Sequence, residues 1–140
     1  MIAKKTILSF LVITAVSSAM VSCDDDGDDC KAGSGGEVTL ILKPQHHGDP
    51  IYNQPGYPDS AFIAYNESEF PGDDPSKYNI VAAGTVGTDN VTVGGLKCGK
   101  YYVFMTGFDT SIVQRVKGGI PIEITEKSGT VTKLIPITED

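Results

Sequence analysis

The chain has 140 residues, with 11 Lys plus Arg against 18 Asp plus Glu, for a net charge of −7. That acidic balance argues against nucleic acid as a partner and against a basic face seated on lipid headgroups. No nucleophile is paired with a base and no phosphate loop is present, so the chain reads as non-enzymatic, with no catalytic residue, metal or cofactor expected.

Residues 1 to 22 have the layout of an export signal. Lys4 and Lys5 form a positive start, and Ile7 to Val16 is an apolar run interrupted only by Ser9 and Thr14. The run is shorter than the ~20 residues that a membrane-spanning helix needs. Met20-Val21-Ser22-Cys23 resembles a bacterial lipobox, whose cysteine is diacylated and becomes the first residue of the mature chain, although Val21 stands where a smaller residue is usual. The alternative is ordinary cleavage after Ala19, with Ser17 and Ala19 as the small residues. The acidic run Asp24-Asp25-Asp26-Gly27-Asp28-Asp29 favours the lipobox. It is similar to the export signal that sends Bacteroidetes lipoproteins to the outer face of the outer membrane; in enteric bacteria an Asp beside the cysteine would instead imply inner-membrane retention. The resemblance implies lipidation at Cys23, a membrane partner reached through that anchor, and a cell-surface location.

Five like charges repel, stay solvated and extend, so residues 23 to 36 read as an acidic flexible tether. Calcium is the rival reading, but a calcium cage needs more fixed oxygens than such a run offers. The mature chain has nine basic residues against eighteen acidic, or −9, and without the five tether aspartates −4. Residues 37 to 140 are long enough for one two-layer core.

With Cys23 acylated, Cys30 and Cys98 remain as an even pair, and an oxidising compartment favours joining them. The alternative is two unrelated thiols. Cys98 has no His or basic cluster beside it in sequence, which argues against a redox role.

Glu37 to Lys43 alternates, with Val38, Leu40 and Leu42 on one face, and predicts a first strand. Ser60 to Tyr65, Tyr78 to Gly84 and Asn90 to Val93 are the next candidates. Gly94 to Asp109 organises the chain. Tyr101 to Met105 is an unbroken apolar run, which fits a strand covered on both faces better than a helix too short between Gly99 and Gly107. Ile120 to Thr125 alternates, Glu126 to Gly129 is a turn, and Thr130 to Ile137 returns as the last strand. Pro121 and Pro136 remove ladder donors and suggest edge positions or bulges. The spacing Leu96-x-x-Gly99-x-Tyr101 resembles the tyrosine corner of Greek-key sandwiches, whose Tyr hydroxyl bonds a backbone group upstream. The alternative is a buried Tyr after a Gly turn.

About seven short antiparallel strands make an all-β sandwich. The run GGLKCGKYY, then GGIPIEI, a turn and TVTKLIPI resembles the transthyretin-like, or carboxypeptidase-regulatory-like, β-sandwich over about the last 60 residues. With the leader, the chain is similar to small Bacteroidetes lipoproteins built on that immunoglobulin-like, prealbumin-like Greek-key sandwich. The resemblance implies a binding or adhesion module with a glycan or an envelope protein as partner. The alternative is a structural or accessory subunit of an envelope or fimbria-like assembly.

Two long loops are the candidates for function. Pro44 to Asp59 holds His46, His47, Tyr52 and Tyr57, and Asn66 to Lys77 holds Phe70. Tyr52, Tyr57 and Phe70 form a candidate aromatic patch for a sugar ring or a partner protein, against a reading in which they only cap the sandwich ends. A metal reading uses His46, His47 and Asp49, joined by Asp73 or Asp74. It is disfavoured because adjacent histidines in an extended chain point opposite ways. Asp59-Ser60-Ala61 resembles a short O-glycosylation motif of Bacteroidetes exported proteins, which makes Ser60 a candidate acceptor.

Overall fold

A computed structural model of the protein describes residues 30 to 139, so Cys23, the leader and the acidic run lie outside the described residues. Eight strands follow in chain order: β1 (Ser34–His46), β2 (Asp49–Pro50), β3 (Ser60–Tyr65), β4 (Ile80–Ala83), β5 (Val91–Leu96), β6 (Gly99–Asp109), β7 (Gln114–Ile124) and β8 (Ser128–Ile137). One 3-10 turn, Pro75–Lys77, interrupts them, and no α-helix occurs among the described residues. No helix among the described residues is long and apolar enough to cross a membrane.

The strands form two four-stranded sheets. In the first, β1 pairs antiparallel with β5 and β2 and parallel with β8; in the second, the order is β4-β3-β6-β7, all antiparallel. This is a two-sheet, sandwich-like all-β fold. It corrects the expectation of about seven antiparallel strands on two points: β2 is an eighth strand, and the first sheet is mixed. The parallel ladder runs without a break from Glu37 against Ser128 to His46 against Ile137. A strand's hydrophobic alternation fixes its faces but not its direction, so parallel pairing leaves no mark on either segment.

Alternation explains the layers. Val38, Leu40 and Leu42 of β1 bury against Ala61 and Ile63 of β3, Tyr101, Val103 and Met105 of β6, and Ile135 and Ile137 of β8. The outer face of β6 is covered too. Tyr102 and Phe104 pack with Ala64, Phe62 and Tyr78, because residues 66 to 79 fold back over the second sheet. Covering on both faces is what an unbroken apolar run requires. Pro121 and Pro136 lie on β7 and β8, which have one full ladder partner each, so their missing donors cost little there.

At one end of the sandwich Cys30 and Cys98 are joined by a disulfide with Cα atoms 4.6 Å apart. Beside it the fully buried Tyr101 donates its hydroxyl to the Lys97 carbonyl at 2.6 Å and accepts from Gly33 N–H at 3.1 Å. Leu96 is also fully buried here. Gly99 has φ +144° with the Ala32 backbone against it, and a side chain at that position would collide. This closely packed end sets the start of β6, and β1 and β6 both run from it to the far end, where the polar groups collect.

Candidate functional site

The alternation that buries Leu40 and Leu42 continues past Lys43, so Pro44 and His46 also face inward. His46 is buried although it is polar, and such a group needs partners. Its Nδ1 lies 2.7 Å from Asp109 Oδ2 at the end of β6. Asp109 Oδ1 accepts from Ser111 N–H at 2.8 Å and from the Ser111 hydroxyl at 2.6 Å. The bonds from Ser111 and His46 hold the Asp109 carboxyl down to about 2. An ionised carboxylate can only accept, so the Nδ1 of His46 is the donor.

His46 Nε2 stands 3.0 Å from Glu139 Oε2, at ion-pair distance but without the alignment of a hydrogen bond. Asp109 first and Glu139 second raise the pKa of His46 above 6.5. Glu139 reaches this place because β8 runs parallel to β1 and ends beside it, and because Thr138 exchanges two 2.8 Å backbone bonds with Lys117.

His47 and Gly48 close the β1–β2 hairpin with φ of +53° and +90°, the signs that a tight type I′ turn demands at both central positions. The positive φ takes His47 out of the extended chain. Its ring therefore does not point away from His46: the two ring centroids are 4.2 Å apart, and His47 Nε2 lies 3.8 Å from Glu139 Oε2. The expectation that neighbouring histidines diverge holds for a strand and fails at this turn. The carboxylate they share is Glu139 and not Asp49.

Adjacent to this cluster a cleft of about 340 Å³ opens on the outer face of the second sheet, at the small end of the ~300–1,000 Å³ range of ligand pockets. Tyr102 and Phe104 form its floor. Phe70 stands over them, with ring centroids 6.0 Å and 5.1 Å away. Gly118 and Gly119 make the opposite wall, where Cβ atoms would strike Pro136 O and the Phe104 backbone. Asp73, Lys117 and Glu139 supply polar groups around it, and Lys117 Nζ lies 3.3 Å from Asp73 Oδ2. A cleft of about 370 Å³ near Cys30 and Lys100 is lined by polar side chains without an aromatic floor.

The residues grouped from the sequence separate in space. Phe70 lines the cleft. Tyr57 stacks on Phe108 at 4.6 Å with Arg115 above it at 5.4 Å, and Tyr52 stands half-exposed in its loop. Ser60 opens β3, half-buried between Ala83 and Thr106. The first loop is pinned by Asn53, which accepts from Asp59 N–H at 2.7 Å and donates to the Thr88 and Asn90 carbonyls. The second is pinned by Asp74, which caps the 3-10 turn, and by Tyr78, which donates to the Gly72 carbonyl at 2.8 Å. Asp109, Lys117 and Glu139 were not among the residues singled out from the sequence. Asp109 and Glu139 owe their places to strand ends meeting across the fold, and Lys117 sits within β7 where its backbone pairs with Thr138, which no local pattern announces.

No protein-family model matches the chain, and no curated protein or solved structure matches it either.

Proposed function

We propose that this chain is a non-catalytic binding module, held at the bacterial outer membrane by acylation of Cys23 and exposed at the cell surface, that captures a sugar-bearing ligand in the cleft beneath Phe70. The observation that carries the reading is the arrangement of Phe70, Tyr102 and Phe104 beside Asp73, Lys117 and Glu139. A pyranose has one face of C–H groups and a rim of hydroxyls, so it suits aromatic rings edged by charged acceptors and donors. Phe70 is 49% exposed, a large apolar surface left open to water where a ligand can cover it. The Cys30–Cys98 bridge supports an exported location, because disulfides persist in oxidising compartments. The finer fold assignment, a Greek-key sandwich of the transthyretin-like kind, belongs to the same proposal. It is supported by the bond from Tyr101 to the Lys97 carbonyl, and it has to accommodate the parallel β1–β8 pairing.

A glycan-array screen of the purified mature protein tests the ligand. Retention of a defined glycan class is expected, weakened about tenfold (~1.4 kcal/mol) by Phe70→Ala while the circular dichroism stays that of the folded parent. No retained glycan, or equal retention by the variant, defeats the reading. Labelling with a fatty-acid analogue, abolished by Cys23→Ala, tests the anchor.

A further inference from the structure

We propose that His46, His47 and Glu139 form a binding site for a divalent transition-metal ion of the zinc class, with Asp109 as the outer carboxylate that orients His46. The donor atoms of the three residues all lie within 4.8 Å of one another. Four tetrahedral ligands at about 2.1 Å from zinc stand roughly 3.4 Å apart. The pairs His46–Glu139 at 3.0 Å and His47–Glu139 at 3.8 Å bracket that spacing. The adjustment that brings the three donors onto one ion can fall on the His47 ring, which is 72% exposed and has room to turn.

The geometry around the His46 ring is the stronger reason. Asp109 accepts a hydrogen bond from the Nδ1–H of His46, which leaves Nε2 as the ring nitrogen that can offer a lone pair to a metal. A carboxylate that holds a histidine by its far nitrogen is the usual outer shell of a metal-bound imidazole. That nitrogen is buried, has no hydrogen-bond partner among the described residues, and stands 3.0 Å from a Glu139 oxygen that is also an acceptor. Two acceptors 3.0 Å apart repel unless a cation lies between them. A metal ion seated there would be that cation, with a third ligand from His47. Imidazole and carboxylate together suit zinc and its neighbours. Three protein donors leave a fourth coordination position for water or a ligand, and Glu139 is shared with the wall of the cleft. The site does not depend on the cleft holding a sugar.

The test is calorimetric titration of the untagged, chelator-treated mature protein with Zn²⁺, repeated with Co²⁺ followed by its visible absorption. One ion should bind per chain at micromolar or lower concentration, with Co²⁺ bands of nitrogen-ligated, four-coordinate type. His47→Ala and Glu139→Gln, both at exposed side chains, should each weaken binding at least tenfold while leaving the circular dichroism unchanged. A variant with the five aspartates between residues 24 and 29 changed to serine should bind as the parent does. The proposal is overturned by no saturable binding, by equal binding in the two site variants, or by binding that disappears with the acidic run.

Discussion

Asp59 should make this protein lose stability as the solution is brought from acid to neutral. The side chain is fully buried beneath Ile51 and Gly107, and neither carboxylate oxygen has a hydrogen-bond partner among the described residues. Its backbone is held by Asn53 Oδ1 and Gly84 N–H, so the residue cannot easily swing out. Burial alone pushes its carboxyl from 3.8 up to about 6. Below 3.8 the group is protonated in both the folded and the unfolded chain, and it costs nothing extra. Between 3.8 and about 6 the unfolded chain releases the proton freely while the folded chain retains it, so stability falls across that window. At 1.36 kcal/mol per pH unit, the total is about 3 kcal/mol, complete above pH 6. Asp59→Asn has nearly the same shape and cannot ionise. It should match the parent near pH 4 and exceed it by about 3 kcal/mol at pH 7.5, or roughly 10 °C in Tm. Urea unfolding of both proteins at half-unit steps from pH 3.5 to 7.5 measures the difference and cancels the other carboxylates, such as Asp109 and Glu139, whose shifts are downward. Parallel stability curves would refute the assignment of the burial cost to this residue.

Two further outcomes concern the other end of the sandwich. Replacing Cys30 and Cys98 together by serine opens a loop of sequence separation 68, and the chain-entropy relation sets the loss at about 4 kcal/mol; an unchanged urea midpoint would mean that the bridge constrains little. Tyr101→Phe removes the donor to the Lys97 carbonyl and the acceptor for Gly33 N–H, at a cost of about 1–3 kcal/mol for the polar groups left unpaired. If the variant unfolds at the parent's midpoint, the hydroxyl is not what secures this corner.

The layers were legible in the sequence wherever burial alternates. Val38-Thr39-Leu40-Ile41-Leu42 and the run from Tyr101 to Met105 name their faces directly, and all five residues of the second run are buried. Element ends were legible only in part. β1 reaches His46 although Pro44 cannot donate to a ladder, because its carbonyl still accepts from Ile51 N–H at 3.0 Å. β7 begins at Gln114 and not near Ile120, since the long β6 offers a ladder that Gln114 to Gly119 can join despite weak strand propensity. Ala32 is buried and Ser34 to Gly36 already run in β1, in a stretch whose glycine, serine and charge read as tether. The disulfide and Tyr101 hold that stretch in place from a distance.

The candidate site was less legible, and strand direction is the reason. His46 and Asp109 are 63 residues apart and meet because β1 and β6 leave the disulfide end side by side, so that both finish at the far end. Glu139 joins them only because β8 lies parallel to β1; an antiparallel β8 would have carried Glu139 to the opposite end, beside Cys30 and Tyr101. The same pairing places Thr138 against Lys117 and so brings the tail along the cleft beneath Phe70. One topological choice, invisible in either strand's alternation, therefore brings a histidine pair, two carboxylates and an aromatic cleft to one end of the sandwich. The buried pair His46 and Asp109 is tolerated there because the ends of β1 and β6 finish together and each side chain supplies the other's hydrogen bond.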